Sequence, residues 1–126
     1  MSELSRMQAL YQWFSQFGTV FAESAVRVID KSEIAYPYGT YELTLNDFGH
    51  PVAIAFNWWD RTPSLESTEA KIAEVDAAIG RDGVMIPCAG GGIRIAKADP
   101  FARPLNDGDD NMIRRIIFNL SIEYEV

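Results

Sequence analysis

The feature that most constrains the fold is a strict alternation of apolar and polar residues over the last part of the sequence. Apolar positions two residues apart lie on one face of a β-strand, and the residues between them lie on the other face. Such a strand is half buried, and its N–H and C=O groups require partner strands, within the fold or across a subunit boundary. The apolar face comprises Ile116, Phe118, Leu120, Ile122, Tyr124 and Val126.

Shorter alternating segments predict the partner strands. Residues 40–46 and 52–58 alternate on either side of a cluster of turn residues, which predicts a β-hairpin. Residues 84–86 and 93–97 predict two further short strands, separated by a flexible glycine-rich turn. Residues 99–111 are rich in Pro and Asp and predict a loop.

Two other segments carry apolar residues at spacings of three and four. This spacing predicts amphipathic helices over residues 3–18 and about 66–79. The predicted buried face of the first helix comprises Leu4, Met7, Leu10, Tyr11, Phe14 and Phe17. Residues 19–36 fit either a short helix or a strand.

The 126 residues suit one domain, because a single core typically takes about 100–150 residues. A hydrophobic fraction of 48% is enough for a core, and the sequence shows neither an internal repeat nor an obvious linker. We therefore predict one α+β domain over residues 1–126. Its mainly antiparallel sheet has four to five strands, with two or three helices packed against it.

Charge and cysteine content restrict the function classes. Eleven basic and 18 acidic residues give a net charge of −7, which disfavours tight binding to DNA or to an anionic membrane. The single cysteine, Cys88, cannot form an intrachain disulfide, which fits a reducing compartment such as the cytoplasm. The sequence has neither a long apolar run that predicts a membrane span nor a signal-peptide pattern at its beginning.

The sequence shows no catalytic combination of residues. His50 is the only histidine, and neither it nor Cys88 has partners at the spacing of a metal site or a nucleophile–base pair. The glycines at 90–92 lack the Gly-Lys-Ser/Thr ending of a phosphate loop, and the acidic run at 107–111 lacks the closing Glu of a calcium loop. We therefore predict neither an enzyme nor a cofactor or metal site.

The most distinctive stretch is Trp58-Trp59-Asp60-Arg61. Neighbouring residues on a strand face opposite ways, so only one of the two tryptophans fits easily into the core. The other must be covered by a loop, a helix or another subunit. Tryptophan and arginine are enriched at the energetic centres of interfaces, although packing within the monomer remains an equal alternative.

Four short stretches occur in an order and spacing that is similar to one known family. Residues 36–43 read YPYGTYEL, and residues 57–61 read NWWDR, followed by Ser64. Residues 99–104 read DPFARP, and the last strand contains IRRI at 113–116 and IEY at 122–124.

These stretches resemble the tail-terminator (tail-completion) proteins of long-tailed bacteriophages and related prophages. In order, they are similar to the family's Tyr-Pro-Tyr-Ile-Thr-Tyr start of the first hairpin, its Trp-Asp-Arg-Ser strand end, its Asn-Pro-Phe-Ala-Gln segment and its closing strand. The order and spacing fit over about residues 10–125. Gly39 stands where the family commonly has an apolar residue, and Arg103 stands where it commonly has Gln.

The resemblance implies a structural virion protein. Such proteins form a hexameric ring that caps the tail tube at full length, stops its polymerisation and offers a surface to the head connector. DNA passes through the lumen without specific binding, and the protein belongs to the tail or neck of the virion after assembly in the host cytoplasm. The implied fold is a sheet flanked by helices, with loops that reach into neighbouring subunits.

For this chain the resemblance implies a homo-oligomeric ring, and such a ring needs a heterologous interface that closes on itself. We expect its partners to be the tail tube protein and the head–tail connector proteins. Subunit contacts are expected at Trp59, Arg61, Phe101 and Arg103. A loop that faces the lumen or a partner ring is expected to carry Asp107, Asp109 and Asp110.

Two other functions remain open at this point. A head-completion or connector subunit of the phage neck differs from a terminator only in its binding partner. A small α+β ligand-binding module or enzyme would need a pocket with convergent polar groups, and the sequence offers no cluster beyond Trp-Asp-Arg.

Overall fold

The structure, a computed structural model, describes residues 4–22, 35–42, 50–61, 65–106 and 113–125. The helices in these ranges are α1 (Arg6–Phe14), followed by a 3-10 turn (Ser15–Phe17), and α2 (Leu65–Ile79). The strands are β1 (Val20–Ala22), β2 (Tyr38–Tyr41), β3 (Val52–Arg61), β4 (Val84–Cys88), β5 (Gly91–Asn106) and β6 (Ile113–Glu125).

The strands form one curled sheet in the order β1-β2-β3-β6-β5-β4. Residues 116–125 of the strongly alternating segment lie in β6, which is at the centre of the sheet. Its partners β3 and β5 both run antiparallel to it, so it pairs within the fold rather than across a subunit boundary. As the alternation predicts, its buried residues are Ile116, Phe118, Leu120, Ile122 and Tyr124.

The predicted sheet is wrong in strand number and in strand direction. The described sheet has six strands rather than four or five, and it is mixed because β1 runs parallel to β2. β1 has only three residues, which is too short for alternation to distinguish a strand from a helix in the ambiguous 19–36 segment.

The predicted loop over residues 99–111 is wrong for residues 99–106, which continue β5. A register shift between Lys97 and Ala102 carries the chain past Pro100, and pairing with β6 then resumes. Proline is tolerated here because β4 pairs only with the first five residues of β5. Beyond them, β5 is an edge strand of the described sheet, so the missing N–H of Pro104 breaks no ladder on that side.

Both helices pack against one face of the sheet, which we call the inner face. The ring of Phe14 in α1 stacks on Tyr41, with centroids 4.5 Å apart, and lies 4.8 Å from the ring of Phe56. On α2, Val75 and Ile79 enter the same core. The opposite face of the sheet, which we call the outer face, is not covered by a helix in the described ranges.

Helix α1 begins at a capping box, and the stripe that it presents to the core agrees only in part with the expected one. The Ser5 hydroxyl accepts from the Gln8 amide, and the Ser5 amide donates to the Gln8 side chain. The buried stripe of the helix includes Leu10 and Phe14, whereas Met7 and Tyr11 are exposed. Their assignment to the buried face is wrong because the helix carries apolar residues on more of its circumference than the sheet covers.

Gly39 occupies a position where a side chain does not fit. It pairs with Trp58 across the β2–β3 ladder, and a Cβ atom there would lie 2.7 Å from Phe56 Cε1 and 2.8 Å from Trp58 Cε3. Two aromatic rings therefore fill the space over this glycine. A side chain at position 39 would require these rings to move.

We predict that Gly39→Val destabilises the fold by about 1–3 kcal/mol, because added methyl groups force two packed rings to move. Urea unfolding followed by tryptophan fluorescence measures the change. Ala53→Val, on the exposed side of β3, adds the same kind of side chain to an open strand position and is the control. Equal stability of the two variants would contradict the packing described.

Candidate functional site

The two adjacent tryptophans separate onto the two faces of the sheet. Trp58 points into the core and is 3% exposed, with the ammonium of Lys71 lying 4.2 Å from its ring centroid. Trp59 lies on the outer face and is half-buried there. This division is the one expected for neighbouring strand residues.

Trp59 belongs to an aromatic stack on the outer face. Its ring is stacked on Tyr38, directly across the β2–β3 ladder, with centroids 5.2 Å apart and planes 20° apart. Phe21 of β1 packs against the same tyrosine, and the half-exposed Tyr36 ring lies 5.5 Å from it. The four aromatic rings therefore form one mainly apolar cluster on the outer face.

An arginine extends this stack towards the centre of the sheet. Arg115 pairs with Trp59 across the β3–β6 ladder, and its guanidinium carbon lies 5.2 Å from the tryptophan centroid. Its Nε and Nη2 donate to Asn57 Oδ1 at 3.2 and 3.0 Å. The guanidinium is therefore fixed by a cation–π contact and two hydrogen bonds.

The remaining predicted contact residues occupy different environments. Arg103 is exposed on the outer face, next to the Arg115 region, because it pairs with Ile117 and the following Leu105 pairs with Arg115. Phe101 is partly buried, with its ring 5.5 Å from Phe118, so it packs mainly in its own chain. Arg61 is exposed at the end of β3.

Asp60 holds the strand end to α2. Its Oδ2 accepts from the Ser67 hydroxyl at 2.7 Å, and its Oδ1 accepts from the Arg61 amide at 2.8 Å. Within the Trp-Asp-Arg stretch, Asp60 therefore links β3 to α2, whereas Trp59 and Arg61 are part of the surface. The predicted lumen residues Asp107, Asp109 and Asp110 lie outside the described residues.

Four further residues belong to this surface although the sequence alone does not predict them there: Tyr38, Asn57, Leu105 and Arg115. The signal was present in the alternation of β6: if Ile116 and Phe118 face inward, Arg115 must face outward. The pairing register of β3 with β6 then brings it beside Trp59. The sequence of either strand alone does not predict that register.

A groove of about 440 Å³ lies on the inner side between the 3-10 turn and α2, and its polar groups satisfy one another. The ammonium of Lys71 donates to the Phe17 carbonyl and to Glu74, both at 2.8 Å, and Asp60 is bonded to Ser67. These contacts tie the helix to the turn. Among the residues that the structure describes, these contacts give the groove a structural role.

Among the residues that the structure describes, no group of three or more His, Cys, Asp or Glu side chains is placed to hold a metal ion. The single Cys88 is buried. Burial, with a smaller contribution from Tyr11, raises the pKa of Tyr41 to about 12, and burial also raises the pKa of Tyr124. Both phenols are thus held neutral, which makes them poor general bases near neutral pH.

No described helix is both long and apolar enough to span a membrane. Comparison of the chain with models of known protein families, with curated proteins and with solved structures gives no match. The function must therefore be inferred from the surface and the contacts of this chain.

We predict that the stability of the protein falls as the pH rises from about 10 to about 12. The unfolded state loses the Tyr41 proton near its ordinary pKa of 10.0, whereas the folded state keeps it up to about 12, so alkali favours unfolding. Urea unfolding at a series of pH values measures the fall. Tyr41→Phe should make it shallower, while the exposed control Tyr36→Phe should leave it unchanged; an equal fall in all three proteins would contradict the assignment.

Proposed function

We propose that this chain is a structural subunit and not an enzyme, and that it assembles into a hexameric ring. The ring caps the tail tube of a long-tailed phage, ends tube polymerisation and joins the tail to the head connector. DNA passes through its lumen without specific binding. The protein acts in the tail or neck of the virion after assembly in the host cytoplasm.

One observation carries the proposal. The four stretches that resemble tail terminators lie on four adjacent strands, β2, β3, β6 and β5, in that order across the sheet. They bring Tyr38, Trp59 and Arg115 into contact and place Arg103 beside them. Residues far apart in the sequence thus form one continuous surface, as a subunit contact built from short non-catalytic motifs requires.

The chemistry of this surface supports protein contact. A half-buried tryptophan, a fixed arginine and the 37% exposed Leu105 combine apolar area with directional donors. Aromatic residues and arginine are the usual energetic centres of interfaces.

The main alternative is a head-completion or connector subunit of the phage neck. Both proteins would use the same surface for self-association, so only the partner separates them. A terminator binds the end of the tail tube and stops its growth, whereas a connector subunit binds the head and leaves tube growth unchanged.

The proposal is tested by adding the purified chain to the tail-tube protein of the same phage while the tube polymerises. We expect sedimentation velocity and negative-stain images to show rings about as wide as the tube, and tubes capped at one end. Tubes of unchanged length without caps, from a chain that stays monomeric in their presence, would contradict the terminator function.

We predict that Trp59→Ala combined with Arg103→Glu lowers ring formation at least tenfold, which corresponds to about 1.4 kcal/mol or more of lost association free energy. The first change removes the aromatic anchor, and the second reverses a charge in the same surface. Tyr11→Ala, which removes a 53% exposed aromatic from α1 on the opposite side of the sheet, is the matched control.

Sedimentation velocity over a concentration series measures the loss, and far-UV circular dichroism confirms that each variant is folded. Phe101 is left intact because its packing against Phe118 would mix a folding defect with an assembly defect. Rings that form from the double variant at wild-type concentrations would exclude this surface as the contact.

A further inference from the structure

Two arginines on the outer face, Arg103 and Arg115, make no ion pair with a carboxylate of the described residues. The ion pairs of the described residues join Lys71 to Glu74, Arg94 to Glu125 and Lys97 to Asp76. None of these pairs involves Arg103 or Arg115. Within the described residues, this surface therefore carries two guanidinium groups that are free to take an anion.

The sheet register brings these two arginines together. Arg103 pairs with Ile117, and Arg115 lies two residues before Ile117 on the same face of β6. Diagonal neighbours of this kind are roughly 7–8 Å apart, close enough for both side chains to reach one anionic segment. We call the pair, together with Trp59 and Asn57, the arginine site.

The arginine site is organised before any ligand binds. Two of the five N–H groups of Arg115 donate to Asn57 Oδ1, and its planar group lies over Trp59. The other three N–H groups have no acceptor among the described residues. A fixed guanidinium loses little conformational freedom on binding and can accept a carboxylate in a bidentate arrangement.

We infer that the arginine site binds carboxylates of a second copy of this chain, carried by its acidic residues 107–110. This inference depends on the proposed ring, and it identifies the two surfaces that meet at each subunit boundary. The stretch holds three aspartates within four residues, so its charge complements the two arginines. Nucleic acid is the less suitable anion, because a chain with a net charge of −7 repels a polyanion over longer distances.

Charge exchange between two variants tests the inference. Variant one carries Arg103→Glu and Arg115→Glu, and variant two carries Asp107→Lys, Asp109→Lys and Asp110→Lys. In a head-to-tail ring, each variant alone places like charges at every boundary and should assemble at least tenfold less than the wild type. Mixed in equal amounts, they place opposite charges at every boundary of an alternating ring, so assembly should return.

General electrostatic attraction would not explain such a rescue. The first variant has a net charge of −7 − 4 = −11 and the second −7 + 6 = −1, so both remain negative. Arg81→Glu combined with Arg94→Glu gives the same net charge of −11 from exposed positions away from the arginine site and should assemble like the wild type.

Sedimentation velocity separates the possible outcomes. If the wild type forms rings and variant one also forms them, the inference fails while the ring proposal stands. If both variants fail alone and their mixture fails as well, the inference also fails, because the acidic stretch then does not act between subunits. Rescue in the mixture alone is the supporting result.

A second measurement covers a wild type that forms no ring. A synthetic peptide of residues 105–113 is titrated into the full chain, and the Nε–H resonance of Arg115 is followed by NMR. We expect this peptide to bind at least tenfold more tightly than a version with its three aspartates changed to asparagine, and Arg115→Gln to abolish the difference. Equal affinities would overturn the inference, whereas selective binding without rings would overturn only the ring proposal.

Discussion

The ladder between β3 and β6 is the interaction on which the rest of the structure depends. It pairs ten consecutive residues of β3 with β6 at the centre of the sheet, and it fixes which side chains share a face. On the inner face it aligns Phe56 with Phe118 in a core that α1 and α2 close. A slip of one residue would move every one of these side chains to the opposite face, so the two faces are specified together.

The same register that buries Trp58 brings Trp59 and Arg115 side by side on the outer face. Core packing and surface chemistry are therefore not independent in this chain. The large apolar residues of both strands fill the inner face. The residues between them lie on the outer face, and the β3–β6 register determines which of them are neighbours. A substitution that shifts the β3–β6 register would also separate the residues of the aromatic stack and of the arginine site. Neither of these groups is part of the core.

The sequence predicts the central strand, the β2–β3 pairing and the separation of the two tryptophans, because period-two alternation is strong in these segments. It misses β1, whose three residues are too few to show a period, and it misreads 99–106, where proline in an edge strand resembles a loop. The exposed Met7 and Tyr11 show that an apolar residue on a helix is not always covered. Arg115 was overlooked because its contacts with Trp59 and Asn57 depend on a register between strands more than 50 residues apart.

We propose that subunits of this chain meet at the outer face around Trp59 and Arg115. A cryo-electron microscopy map of the proposed ring bound to a tail tube tests this most directly. The account predicts a closed ring in which Trp59 and Arg115 of each subunit are buried against the next. A ring in which both side chains face solvent, with the contacts made elsewhere, would contradict it.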